Sequence, residues 1–231
     1  MIQKKYESTF EAVADIPDGA TLLIGGFGGS GLPSTLIAAL TKQGAKDLTI
    51  VSNNIGAVSD GVASLISNNQ VKKIICSFPV GPHADDLIER LGKGTIELEI
   101  VPQGTLAERI RAGGAGIPAF YTPTAYQTEL GEGKEVRTFN GREYLLEHAI
   151  VGDYAFVRAN KADRWGNLVY RKTQRNFNPV MASAARITIA EVDEIVELGE
   201  IEPESVVTPC IFVHRLVELE KVDEGEVLVH D

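Results

Sequence analysis

Short apolar runs alternate with amphipathic stretches along the first half of the chain. Thr21-Leu22-Leu23-Ile24-Gly25 reads as a buried strand. A glycine loop follows, and residues 33–40 carry apolar positions at helical spacing. Pro33 stands where a first helical turn tolerates a missing N–H. Further strands are predicted over 47–51, 74–76 and 96–101, with helices over 61–68 and 84–91 between them and another over 105–112. Alternating strand and helix is the pattern of a parallel sheet covered on both faces.

After residue 115 the rhythm changes. Residues 137–140 and 142–146 flank Asn140-Gly141, a strong hairpin signal. Residues 153–158, 167–170 and 186–191 are further strand candidates with little helix between them. The expectation is one α/β domain over residues 1–231. It is a mostly parallel open sheet with flanking helices and a β-rich C-terminal extension, more antiparallel, of the same sheet.

Composition narrows the function. Of 231 residues 44% are hydrophobic and 23% charged, which excludes a disordered or fibrous chain. The net charge of −10 and the lack of a basic block argue against nucleic acid as a partner. Cys76 and Cys210 lie far apart, outside any zinc or C-x-x-C spacing, and read as buried thiols of a reducing compartment. Residues 1–8 have no apolar core, and no apolar run is long enough to span a bilayer, so no membrane partner is expected and the location is read as cytoplasmic.

The 23 glycines cluster at 25–31, 113–116 and 131–133. Gly26, Gly28 and Gly31 form a G-x-G-x-x-G between a predicted strand and a predicted helix, the context of a dinucleotide fingerprint. Such a turn presents free N–H groups to an anion. The fingerprint also needs an acid at the end of the next strand, where this chain has Ser52-Asn53-Asn54. Glycines serving only close helix–strand packing are the plainer alternative.

Other motifs fail more directly. There is no G-K-[ST], Gly29-Ser30-Gly31 does not make a nucleophile elbow, and His83, His148, His214 and His230 show no metal-ligand spacing. Glu191, Asp193, Glu194 and Glu197 read as a solvated face rather than an acid/base pair. Asn53-Asn54 and Gln103 are better placed, at the carboxyl ends of the second and fourth strands, where open parallel sheets bind ligands. Neutral amides there donate to a carboxylate or a developing oxyanion; equally, Asn and Gln terminate strands and begin turns.

Several motifs together resemble the A subunit of the family I coenzyme A transferases. They are Gly25-Gly26-Phe27-Gly28 with Gly31 and Pro33, Ser52-Asn53-Asn54, residues 102–110 from Pro102-Gln103-Gly104, Gly113-Gly114-Ala115-Gly116, and Arg175-Asn176-Phe177-Asn178-Pro179. The resemblance runs over residues 6–219 and implies a fold of the coenzyme A transferase, ribose-5-phosphate isomerase-like kind. Met1-Ile2, Tyr6-Glu7-Ser8, Cys76-Ser77-Phe78-Pro79 and residues 163–168 resemble the 3-oxoadipate branch. Residues 105–110 and Tyr121-Thr122-Pro123-Thr124 are equally at home in the acetoacetate branch.

The resemblance implies a partner, the B subunit of the transferase, in a heterodimer or heterotetramer. It also implies covalent catalysis through a glutamate of that partner, since no Glu here precedes Asn-Gly. No catalytic residue, metal or redox cofactor is then expected in this chain; succinyl-CoA and a 3-oxo acid are substrates. Gly25, Gly26, Phe27, Gly28, Gly29, Ser30 and Gly31 would lie near coenzyme A, and Asn53, Asn54 and Gln103 would orient the substrate. Gly29-Ser30, Leu32 and Thr173-Gln174 fill variable places and leave acyl specificity undecided. The other readings are a dinucleotide-dependent oxidoreductase and a non-enzymatic module sensing acyl-CoA or a sugar phosphate.

Overall fold

Leu22, Leu23 and Ile24 point alternately to the two faces of a sheet, as successive strand residues do, and all three are fully buried. In the computed structural model, which describes residues 4–55, 59 and 61–220, the first half alternates as predicted. Its elements are α1 (Thr9–Val13), β1 (Thr21–Ile24), α2 (Ser34–Gln43), β2 (Leu48–Asn54), α3 (Val62–Ser67), β3 (Val71–Phe78), α4 (Asp85–Gly92), β4 (Glu97–Ile100) and α5 (Gln103–Gly114). The second half holds β5 (Ala119–Thr122), β6 (Val136–Phe139), β7 (Arg142–His148), β8 (Gly152–Asp163), β9 (Leu168–Val169), α6 (Asn178–Ser183), β10 (Ala185–Val196) and β11 (Arg215–Glu218). Met1-Ile2 and His230 lie outside the described residues.

The main sheet runs in the order β11-β10-β8-β1-β2-β3-β4. Every neighbouring pair along that path is parallel. The chain thus starts in the middle, builds outward to β4, and returns to the other side of β1. The second half departs here from the antiparallel extension that its strand candidates suggest. Among the described strands, antiparallel pairing is limited to β9 on β8 and to a separate three-stranded sheet, β5-β7-β6. A parallel return needs a crossover; α6 lies in the one that joins β8 to β10. The Asn140-Gly141 turn forms as read, with positive φ at both residues (51° and 77°), and pairs Phe139 with Arg142.

Two apolar layers cover the sheet. Leu22, Ile24, Ile50, Ile74 and Phe156 pack under α1–α4. Leu23, Val51, Ile75, Ala155 and Val157 pack under α5 and α6. Burial on both faces is why these strands read as continuous apolar runs. Among the described residues no helix is long and apolar enough to cross a membrane.

Arg215 ties the last strand to the first helix. Its guanidinium donates to the Ala12 carbonyl at 2.7 Å and to both Asp15 oxygens at 2.6 and 2.7 Å. The hydrogen bond from Arg215 holds the Asp15 carboxyl below its usual value. A lowered carboxylate pKa contributes stability above the unfolded value, about 3.9, that is lost as pH falls through the folded one. Asp15→Asn is therefore expected to lower Tm at neutral pH, with the gap to wild type closing as pH drops below the usual carboxylate range. Calorimetry across a pH series measures this, and a constant gap would contradict the assignment.

Candidate active site

Strands β1 to β4 end on one edge of the sheet, and the polar residues singled out by the sequence gather there. A cavity of about 610 Å³ opens at that edge, lined by Phe27 and Gly28 after β1, Asn53 and Asn54 of β2, Ser77 and Phe78 of β3, Val80-Gly81-Pro82, and Gln103 at the start of α5. Asn53 and Asn54 are the last residues of β2 itself.

One hydrogen-bonded chain crosses the floor. Gln103 Nε2 and Ser77 Oγ each donate to Asn53 Oδ1 at 2.8 Å. Asn53 Nδ2 donates to Asn54 Oδ1 at 3.2 Å, and the Gly28 N–H donates to the same oxygen at 2.8 Å. Asn53 is only 2% exposed and serves as the hub of this network. Among the described residues no hydrogen bond engages Asn54 Nδ2, which belongs to a cavity-lining residue, or the N–H of Gly29 at the exposed loop tip. Ser77 has no place in the sequence reading beyond its motif; its position at the end of β3 is the signal that would have found it.

The glycine loop divides into buried ends and an exposed tip. Gly25, Gly26 and Gly31 are buried, whereas Phe27 and Gly29 are exposed and Gly28 and Ser30 half-buried. Phe27 and Ser30 exchange backbone hydrogen bonds of 3.0 and 3.1 Å, closing the tip as a tight turn. The ends lie against Asn178. A Cβ on Gly25 would stand 1.9 Å from Asn178 Oδ1, and one on Gly31 only 2.9 Å from the Gln174 backbone, at a φ of +63°. Thr173 Oγ1 bonds Ser30 Oγ at 2.7 Å, and Asn176 Nδ2 donates to the Ser30 carbonyl at 3.0 Å. The variable pair Thr173-Gln174 therefore touches the loop directly.

The anion site expected where such a loop meets a helix is filled from within. The spacing of Glu191, Asp193, Glu194 and Glu197 predicts a solvated face, but Glu191 is fully buried. Its Oε2 accepts the Leu36 N–H at 2.9 Å in the first turn of α2, and Arg158 approaches Oε1 at 3.2 Å. The reason is that β10 is an interior strand, so its alternate residues face a packed layer. Pro33, at the N-cap, supplies no side-chain cap; Glu191 caps α2 from across the sheet. Burial pushes the Glu191 carboxyl up, opposed by Leu36 and Arg158. A pyrophosphate would have to displace it, and the dinucleotide reading loses its main donor.

The remaining candidates lie elsewhere. Burial pushes the Cys76 thiol up to about 11, so it carries no thiolate at neutral pH; Cys210 is only half-buried. His83 and His148 are exposed, and His214 Nδ1 accepts the Thr188 N–H at 3.0 Å. Among the described residues no three of His, Cys, Asp and Glu group as metal ligands.

The profile of the family described as coenzyme A transferase matches residues 6–219. The chain belongs to the coenzyme A transferase family. It is 54% identical to the A subunit of 3-oxoadipate CoA-transferase from Pseudomonas putida, over 94% of each chain. It is 50% identical to the A subunit of succinyl-CoA:3-ketoacid coenzyme A transferase from Helicobacter pylori, over 93% of this chain and 91% of that one. Among solved structures it resembles an acyl-CoA transferase from Escherichia coli O157:H7 in a thioester complex with CoA, at a TM-score of 0.81 and 25% identity. The match covers 94% of this chain but 47% of that one, so this chain spans about half the length of that transferase.

In this coenzyme A transferase two further family motifs are structural. A Cβ on Gly113 of α5 would stand 2.0 Å from the Ile150 carbonyl oxygen, so the helix rests directly on backbone. Asp163 Oδ1 accepts the Trp165, Gly166 and Asn167 N–H groups at 2.9, 3.0 and 3.1 Å, closing the β8–β9 turn. Glu191→Ala removes the α2 cap and one partner of a buried ion pair and is expected to cost up to roughly 3 kcal/mol. Glu191→Gln keeps an acceptor and the side-chain shape and should cost clearly less. Urea unfolding of the two variants checks this; equal losses would remove the capping role.

Proposed function

We propose that this chain is the A subunit of a cytoplasmic 3-oxoacid CoA-transferase that moves CoA from succinyl-CoA to a 3-oxo acid, 3-oxoadipate before acetoacetate. It works with a B subunit in a heterodimer or heterotetramer and uses CoA thioesters as substrates, with no metal or redox cofactor. One observation carries the reading. The cavity at the sheet edge has a floor of neutral amides, no acid among its described lining residues, and an apolar rim of Phe27, Phe78 and Val80 exposed at 51%, 55% and 48%. Such a site offers donors without a carboxylate nucleophile among its described lining residues.

In the proposed reaction a glutamate carboxylate from the partner attacks the thioester carbonyl. The tetrahedral oxyanion collapses to an acyl-glutamyl anhydride and expels CoA thiolate. The thiolate attacks the glutamyl carbonyl, releasing succinate and leaving a glutamyl-CoA thioester. The acceptor carboxylate then takes CoA by the same steps reversed, with ping-pong kinetics. This chain contributes the Asn54 amide, the Gly29 N–H and the Gln103 amide as donors to charge that develops in the tetrahedral steps. Asn53, held by Ser77 and Gln103, keeps Asn54 in place.

CoA transfer from succinyl-CoA to 3-oxoadipate and to acetoacetate is to be measured with the chain alone and with its matched B subunit. Activity is expected only in the mixture, and the preferred acceptor decides the branch; activity from the chain alone would overturn the mechanism. Within the active pair, Gln103→Ala should keep the fold and the association but slow turnover by about 10²–10³, the usual cost of one such donor. Unchanged turnover would take Gln103 out of the site.

A further inference from the structure

We propose that Asn178 is the positioning residue of the glycine loop, setting where the Gly28 and Gly29 N–H groups stand and through them the rate of acyl transfer. The inference rests on the coenzyme A-transfer reading above. Asn178 is fully buried at the start of α6. Its Nδ2 donates to the Gly31 carbonyl at 2.9 Å and to the Gln174 carbonyl at 2.7 Å, and its Oδ1 accepts the Arg158 N–H of β8 at 3.0 Å. One amide thus joins strand β8, the 174–178 segment and the far end of the loop.

The same amide is wedged against the near end, where no side chain fits at Gly25. Between the two ends the tip is closed on itself by the Phe27–Ser30 pair and bonded outward through Gly28 to Asn54. A tip that is internally rigid follows its ends. A shift of Gly25 or Gly31 is therefore passed to Gly28 and Gly29 rather than absorbed. Two donors and an acceptor in one neutral, planar group are what the site requires. A carboxylate would turn lone pairs toward the Gly31 and Gln174 carbonyls, and an apolar side chain would leave both unsatisfied.

The test uses the complete enzyme, this chain with its partner, and two kinds of variant. Asn178→Asp keeps the shape and removes the donors. Hydrogen exchange over residues 25–31 is expected to rise about tenfold or more while the rest of the chain is unchanged. The kcat is expected to fall about tenfold or more, with KM for succinyl-CoA little altered. The loss should shrink between about pH 8 and about pH 6, because a buried carboxyl protonates readily and regains one donor. Asn178→Ala opens space that Gly25→Ala refills in part, so Tm should rise above that of the single variant but stay below wild type, because the Gly31 and Gln174 carbonyls remain unsatisfied, while kcat stays low. Recovery of kcat together with Tm, or unchanged exchange over 25–31 in Asn178→Asp, overturns the proposal. A wild-type pair that transfers no CoA would refute the functional reading instead, and the exchange measurement would still decide whether Asn178 holds the loop.

Discussion

A loop with five glycines in seven residues has almost no side chains with which to hold its own shape, so its neighbours must impose one. Here they do so at both ends and from below. The Asn178 amide grips Gly31 and fills the space beside Gly25, Thr173 and Asn176 hold Ser30, and Glu191 anchors the helix into which the loop runs. Arg158 joins two of these supports, since its backbone N–H meets Asn178 and its guanidinium meets Glu191. The long return strands β8 and β10 therefore do more than complete a sheet. They help to hold a bare backbone in one conformation against the end of β2.

The same economy explains the neutrality of the site. Its floor is built from Asn53, Asn54, Gln103, Ser77 and backbone N–H groups, with no cation among the described residues lining the cavity. A cation would bind an anionic substrate strongly before and during reaction alike, which lowers KM without raising the rate. Fixed neutral dipoles act most where charge develops, and a hydrogen-bonded network spares them reorganisation at that moment. Asn53 shows the design, because it is buried and exposes little of itself. Its contribution is to fix the direction in which Asn54 points.

Much of this was legible in the order of residues, for reasons of local physics. Strands β1 to β4 and helices α2 to α5 carry strong periodicity, and Asn140-Gly141 demands its own turn. What escaped depends on long-range pairing. The parallel direction of β8, β10 and β11 is set by crossovers, and α6 is six residues long with a proline inside, too short to register as a periodic segment. Glu191 reads as solvated in any window along the chain, because its partners stand 155 and 33 residues away. Asn178 sits in a recognisable motif, yet only the geometry shows that its amide holds Gly31, 147 residues earlier.

The exposed rim follows from the same arrangement. Phe27 stands at the tip of a loop whose ends are buried, and Phe78 ends β3 two residues past its last pairing with β4, with Val80 just beyond. Interior strands bury their apolar residues between two layers, so large apolar groups left open at the carboxyl edge are not a failure of packing. Contiguous exposed apolar surface on soluble proteins marks a place where something else docks. On the reading proposed here, that surface and the unspent donors beside it are complementary halves of one requirement. The rim excludes water once it is covered, and removing water strengthens each hydrogen bond the amide floor can offer. A catalytic half-site that closes only on assembly keeps those donors idle until the nucleophile arrives.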